Sequence, residues 1–307
     1  INLIKTSNKI IFVAAGTSYN ASLLGFYYLN KCNIETQVVI ASELERLKFV
    51  DNNSLIIAIS QSGETMDVID ALRLGKEKGA RIASLVNVSH STIERMSDIS
   101  INILAGQEIS VASTKSFVNQ SLILLRIAKY FGFKTEFNDL SDNIKEIFNK
   151  IPKIKELANK LVNKKDLYIL GRGMSYPISR EIALKIKEVS YVHAESMIGG
   201  ELKHGTIALI EKGTPVIGLI YENDSNIVSN LKEVEARGAD LIKIGTDNCD
   251  LIINSKDEGQ FGILATVFGQ LLTYYLALEK GLSIYKPRNL AKCVTVRWKI
   301  PKLKELE

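Results

Sequence analysis

Three short segments place hydroxyls and small residues where a strand would hand over to a helix. They are Gly16-Thr17-Ser18, Ser60-Gln61-Ser62-Gly63-Glu64-Thr65 and Val111-Ala112-Ser113-Thr114-Lys115. Hydroxyls and free backbone N–H groups at a helix start form a ready anion site. Gly63 lets the backbone approach a ligand closely. Ser and Thr are also ordinary helix N-caps, so one such segment would say little. Three at equivalent strand ends favour a phosphate site. None follows GxxxxGK[ST] or GxGxxG, so nucleotide binding gets no support. Hydroxyls without an arginine clamp suit a sugar phosphate.

A second cluster has the residue types for proton transfer. Pro177 can open a helix just after Ser175. Ile178, Ile182, Ile186 and Val189 then share one face, and Glu181, Lys185 and Glu188 run along its edge. Two readings stay open for that stripe: a surface row of ion pairs, or acid–base groups bordering a core. Downstream, GGELKHG puts His204, one of only three histidines, on a Gly-rich loop. A lone loop histidine is ordinarily solvated; beside such a carboxylate it becomes an acid–base candidate. His193-x-Glu195 lacks a companion CxxC, which rejects a deaminase-type zinc site. Lys292 lies in KPRNLAKCVTV, residues 286–296. It is either a solvated surface lysine or, if the tail folds back over a sugar site, an amine that condenses with a carbonyl.

These residues need a scaffold, and the pattern supplies one. Strands are expected at 10–14, 36–41, 54–59, 81–86 and 99–104, with helical stretches between them such as 65–78. That alternation is the signature of a parallel sheet covered on both faces. Ligands bind beyond the carboxyl ends of such strands. The second half repeats the first. AAGTSY at 14–19 returns as GRGMSY at 171–176, and KEKGARI at 76–82 returns as EARGADL at 235–241. Asp98 is matched by Asp250, and Gln120 by Gln270. Four matches in order at nearly one offset indicate a duplicated α/β domain. The expected layout is a first domain at 1–139, linking helices at 140–163 with Pro152 as a break, a second domain at 164–285, and a tail at 286–307.

Composition is consistent with that layout. A chain of 307 residues exceeds what one core usually serves. With 46% apolar and 24% charged residues, it is neither disordered, collagen-like nor a disulfide scaffold. The net charge of +5 is mild; it suits small anionic ligands and argues little for nucleic acid. Cys32, Cys249 and Cys293 lie far apart, which points to a reducing, cytoplasmic setting with no metal. No signal peptide is expected. The apolar stretches 116–131 and 262–277 carry Asn119, Gln120 and Arg126, and Gln270 and Thr273. They read as buried helices and not membrane spans. The chain lacks an initiator Met, and a longer parent chain is expected.

Six segments together carry a family resemblance: GTSYNAS (16–22), SQSGET (60–65), VASTKSF (111–117), ALKIKEVSYVHAE (183–195), GELKHG (200–205) and KPRNLAKCVTV (286–296). The chain resembles the isomerase half of glutamine–fructose-6-phosphate aminotransferase (isomerising), or glucosamine-6-phosphate synthase. SQSGET alone would indicate only a sugar-phosphate-binding SIS domain; GELKHG and PRNLAK narrow it. The resemblance implies two duplicated flavodoxin-like SIS domains packed into a homodimer, and conversion of fructose 6-phosphate plus ammonia to glucosamine 6-phosphate in amino-sugar biosynthesis. It implies that Thr17, Ser18, Ser60, Gln61, Ser62, Thr65, Val111, Lys185 and Ala291 line the sugar-phosphate site. Glu188 matches the base that moves a proton between carbon 1 and carbon 2. His204 matches the ring-opening histidine, which acts in trans, and Lys292 matches the lysine that forms a Schiff base with the open-chain ketose. No metal or cofactor is implied.

Two departures stand out. No part of the chain matches the family's glutaminase domain, the source of ammonia, and the stretch 297–307 with Trp298 runs past the family pattern. The rivals are a stand-alone SIS deaminase or deglycase, against which PRNLAK argues, and a non-catalytic sugar-phosphate regulator, for which no effector segment is found.

Overall fold

The computed structural model describes residues 1–295. The tail motif's Val296 and the stretch with Trp298 lie outside the described residues. The first half runs α1 (Asn2–Lys5), β1 (Lys9–Ala14), α2 (Gly16–Asn30), β2 (Gln37–Ile40), β3 (Ser54–Ser60), α3 (Met66–Glu77), β4 (Arg81–Val86), α4 (Thr92–Met96), β5 (Ile99–Asn102) and α5 (Lys115–Tyr130). All its strand pairs are parallel, in the order β2-β1-β3-β4-β5. The second half runs β6 (Asp166–Gly171), α8 (Ser175–Ser190), β7 (His193–Ile198), β8 (Pro215–Ile220), α9 (Ser225–Glu235), β9 (Asp240–Gly245), β10 (Leu251–Ile252) and α10 (Glu258–Glu279). Its order, β10-β9-β8-β6-β7, is the same topology read from the other edge. Both are the doubly wound 2-1-3-4-5 arrangement. Between them lie α6 (Leu140–Asn149) and α7 (Ile151–Leu161).

The repeats match in geometry as well as in order. Gly16 and Gly173, each just after the first strand of its sheet, have φ of +55° and +54°. A side chain there would be strained in the left-handed region. Asp98 Oδ2 accepts the Ile82 N–H, and Asp250 Oδ2 accepts the Lys243 N–H. Each carboxylate ties the loop before the edge strand to the strand beside it.

Two expected boundaries shift for local reasons. The strand expected at 99–104 ends at Asn102, whose side chain accepts the Leu104 N–H while Leu104 turns to φ +57°. The helix break expected at Pro152 falls two residues earlier, at Lys150 between α6 and α7, because Pro152 sits in the first turn of α7, where its missing N–H removes no intrahelical bond.

The core is continuous across the two halves. Ile10, Phe12, Leu55 and Ile57 from one face of the first sheet join Leu167, Ile169, Ile217 and Leu219 of the second. Helices α2, α5, α8 and α10 fill the space between the sheets. The opposite face of the first sheet, with Ile11, Val13, Ile56 and Ala58, packs Val68, Ile69 and Leu72 of α3. Helix α10 is long and apolar enough to cross a membrane by length and composition, yet 72% of that stretch is buried inside this fold. Packing α2 against α8 matters most for function, because it brings Thr17 to within reach of the stripe on α8.

Candidate active site

The loop after β3 is shaped by its own hydroxyls. Ser60 Oγ accepts the Gly63 N–H at 3.0 Å, and Ser62 Oγ accepts the Glu64 N–H at 3.1 Å. Ser60 and Thr65 hydroxyls lie 3.3 Å apart. Gly63 has φ +66°, and a Cβ there would stand 2.1 Å from Ser91 Oγ. Only glycine closes this turn. Thr65 is the N-cap of α3, but its side chain caps nothing. The first turn of α3 therefore keeps N–H groups with no intrahelical acceptor, at the positive end of the helix dipole. Glu64 is turned away, its carboxylate accepting the Thr92 N–H. Gln61 lies half-exposed on the same loop.

The second element is the α8 stripe. Surface ion pairing, one of the two readings of this pattern, is overturned for its inner members: Glu181 and Lys185 are 1% and 2% exposed. The cause is α2, which comes from the other half. Thr17 Oγ1 donates to Glu181 Oε1 (3.1 Å), Asn20 Nδ2 donates to Glu181 Oε2 (2.8 Å), and Lys185 Nζ donates to Thr17 Oγ1 (2.9 Å). Lys185 Nζ also lies 2.5 Å from Glu188 Oε2 and 3.5 Å from Glu181 Oε1. Burial raises the Glu181 carboxyl above its ordinary range, against the pull of Lys185 and Asn20. Burial pulls the Lys185 ammonium down, but Glu181 and Glu188 together outweigh it and hold it above the usual lysine range. Beside them, Ser18 is buried and accepts a hydrogen bond from Gln120 of α5.

The third element is the tail, which does fold back. Val294 O accepts the Met66 N–H, and Cys293 Sγ lies 3.0 Å from Ser62 Oγ. Lys292 Nζ donates to Ser110 O at 2.7 Å. Ser110 Oγ donates to Ile284 O, and Val111 N–H to Tyr285 O. The Arg288 N–H bonds the Tyr191 hydroxyl, with its guanidinium 4.2 Å from that ring's centre. Residues 284–294 are thus tacked to two of the three hydroxyl loops, those after β3 and before α5. Ala291, beside Lys292, is exposed. Burial lowers the Lys292 ammonium below its ordinary value, helped by the positive charges of Lys185 and Lys115 and opposed by Glu108 and Glu188. A lowered pKa is one of the conditions a nucleophilic lysine needs. A cavity of about 240 Å³ opens against Lys185 and Val189, lined also by Ser110, Thr114 and Gln270.

His204 is not brought to this cluster. It is exposed in the 3-10 turn Leu202–His204, and among the described residues no hydrogen bond or ion pair joins it to Glu188 or Lys292. His193 pairs with Asp166 on the surface instead. Two contributors carried no sequence signal. Glu108 is buried and accepts from Thr114 Oγ1 and the Ser116 N–H, which fixes the loop that holds Lys292. Its pKa is lowered, because those hydrogen bonds together outweigh the larger single effect of burial. Asn20 lies within the GTSYNAS segment, but nothing in its spacing announces a partner 161 residues away.

Known proteins share this fold. The SIS domain family matches residues 3–129 and 160–277. The chain belongs to the SIS domain family. It is 43% identical over 94% of its length to the glutamine–fructose-6-phosphate aminotransferase (isomerising) of Clostridium tetani. The chain spans about half the length of the curated relatives it matches, 52% in that case. Among solved structures, the C-terminal domain of glucosamine-fructose-6-phosphate aminotransferase from Francisella tularensis superposes with a TM-score of 0.86 at 34% identity, covering 93% of this chain and 89% of that one. Glucosamine-6-phosphate deaminase from Thermotoga maritima gives 0.84 at 29% identity, covering 95% and 92%. Within the SIS family, the chain is thus matched along nearly its whole length by the C-terminal domain of the aminotransferases.

Proposed function

We propose that this chain is the isomerase domain of a glutamine–fructose-6-phosphate aminotransferase, turning fructose 6-phosphate and ammonia into glucosamine 6-phosphate. One observation supports the reading: the tail folds back so that Lys292 is within electrostatic reach of Lys185 and Glu188, on a row whose Glu181 and Lys185 are buried, while Cys293 and Val294 touch the hydroxyl-rich loop at the start of α3. The phosphate binds at Ser60, Gln61, Ser62 and Thr65 on the N-terminus of α3. Thr17, Ser18, Val111, Lys185 and Ala291 surround the sugar. Lys292 attacks the carbon 2 carbonyl of the open-chain ketose, and water leaves as an imine forms. Ammonia then displaces the lysine. Glu188 takes the carbon 1 proton, the C–H electron pair forms a carbon 1–carbon 2 double bond while the carbon 2–nitrogen π pair moves onto nitrogen and picks up a proton, and the proton on Glu188 then returns at carbon 2. The carbon 1 hydroxyl loses its proton, leaving the aldehyde.

Ring opening falls to His204. Its exposure and its separation from Glu188 favour delivery across a homodimer by a neighbouring copy. Ammonia comes from a glutaminase domain, in keeping with relatives twice this length. Half-buried or surface thiols left unpaired suit a cytoplasmic setting.

The test is solvent deuterium incorporation into fructose 6-phosphate. Glu188→Gln should lose this exchange by ~10²–10⁴-fold while still binding the sugar. Exchange at the wild-type rate would remove Glu188 from the role of base. Net release of ammonia from glucosamine 6-phosphate, with no synthesis in the reverse direction, would favour a deaminase instead.

A further inference from the structure

Glu181 has no part in the chemistry above, yet it is among the most deeply buried charged side chains described. A carboxylate costs several kcal/mol to desolvate unless paired and hydrogen-bonded. Both of its oxygens are satisfied here, one by Asn20 Nδ2 and one by Thr17 Oγ1. The amide that serves it is itself fixed, since Arg180 Nε donates to Asn20 Oδ1. Glu188, by contrast, keeps a side-chain exposure of 20% and faces the site. Lys185 lies between the two.

We propose that Glu181 is a positioning residue: the permanent countercharge of Lys185, which keeps that ammonium charged and in place while Glu188 gains and loses the substrate proton. The proposal rests on Glu188 being the base. The need follows from charge balance. When Glu188 takes a proton it stops neutralising Lys185. An ammonium at 2% exposure with no other partner would then be expelled from its site or lose its proton. With Glu181 held 3.5 Å away, Lys185 keeps one anionic partner throughout the cycle. Glu188 is then free to alternate between base and acid without dragging its neighbour. Thr17, which donates to Glu181 and accepts from Lys185, links this pair to the sugar loop.

Other charges face the row from the tail and the 108–116 loop. Lys292 interacts with both Lys185 and Glu188, and Glu108 with Lys292. Neither reaches Glu181 by any hydrogen bond or ion pair among the described residues, so Glu181 acts through Lys185.

Removing the charge at Glu181 removes a repulsion that favours protonated Glu188. It also leaves Lys185 with one partner in place of two. Both effects move titration toward acid. In Glu181→Gln the acid limb of the pH profile for deuterium exchange should fall by about one pH unit. The basic limb should fall with it, and kcat should drop roughly tenfold with KM nearly unchanged. Glu181→Asp keeps the charge and should keep both limbs close to wild type. Asn20→Ala makes Glu181 easier to protonate and should move the limbs the same way by less. A merely structural role would lower thermal stability and leave the limbs where they are. That result in Glu181→Gln, or in Asn20→Ala if the first variant does not fold, overturns the proposal. Glu188→Gln run alongside separates the two failures. If it exchanges at the wild-type rate, the base is misassigned and this role falls with it. If it is inert while Glu181→Gln keeps its profile, only the role of Glu181 falls.

Discussion

The ends of β3 and β8 are equivalent positions in two copies of one fold, and they have diverged in what holds the start of the helix that follows. After β3 the chain carries Ser60, Ser62 and Thr65, and the N-cap of α3 leaves its first turn uncapped. After β8 it carries Tyr221, Glu222 and Asp224. There Asp224 accepts the Asn226 N–H and caps α9 itself, while Arg172 lies 3.3 Å from its carboxylate. Glu222 and Asn223 both turn into positive φ. The start of α3 carries no side-chain cap and gives its Met66 N–H to the carbonyl of Val294, whereas the start of α9 already holds a carboxylate from its own chain. The reverse asymmetry holds at the helix after the first strand. In the first half α2 presents Thr17 and Asn20; in the second, α8 presents Glu181, Lys185 and Glu188. Duplication gave two potential pockets; on the function proposed above, one complete site draws its phosphate end from one copy and its proton-transfer row from the other.

Four substitutions would break or sharpen this contrast. The largest effect is expected from Lys292→Ala. Borohydride reduction with fructose 6-phosphate should add the sugar mass to the wild-type chain and not at all to the variant. Because burial lowers the Lys292 ammonium, the wild-type adduct should form at pH values where an ordinary lysine stays fully protonated. Mass spectrometry across pH reads both points. Next is Ser62→Glu, which makes the β3 loop resemble the β8 loop. Like-charge repulsion should weaken sugar-phosphate binding by ~10²-fold, measured by calorimetry. Gly63→Ala is smaller. The left-handed backbone and the clash with Ser91 should cost about 1–3 kcal/mol in a denaturant titration. Arg172→Ala is the smallest. Its partner pair is largely exposed, so stability should change by less than about 1 kcal/mol and sugar-phosphate binding not at all.

Most of the fold was legible because its signals are local. Short β-branched runs between helical periods announce parallel strands, and the repeated GxSY and GA-containing turns announce the duplication. The loops at Gly16–Ser18 and Ser60–Thr65 were legible for the same reason, since strand end, glycine and helix start are close together in the chain. The α8 stripe was not. Whether Glu181 and Lys185 face water depends on α2, which arrives from the other half of the molecule, and no spacing within α8 encodes that contact. Glu108 was invisible because its job is done by hydrogen bonds to Thr114 and Ser116, residues whose own pattern reads as a plain helix start. The tail motif could be read as a chemical candidate, but only the bonds to Ser110, Ser62 and Met66 show where it lies.

The division of labour between the two halves is tested most directly by a crystal structure with glucosamine 6-phosphate bound. The phosphate should lie within hydrogen-bond reach of Ser60, Ser62 and Thr65 at the start of α3, with the sugar extending toward Glu188 and Lys292. Phosphate density at Tyr221–Asp224 instead, against the start of α9, would contradict the account.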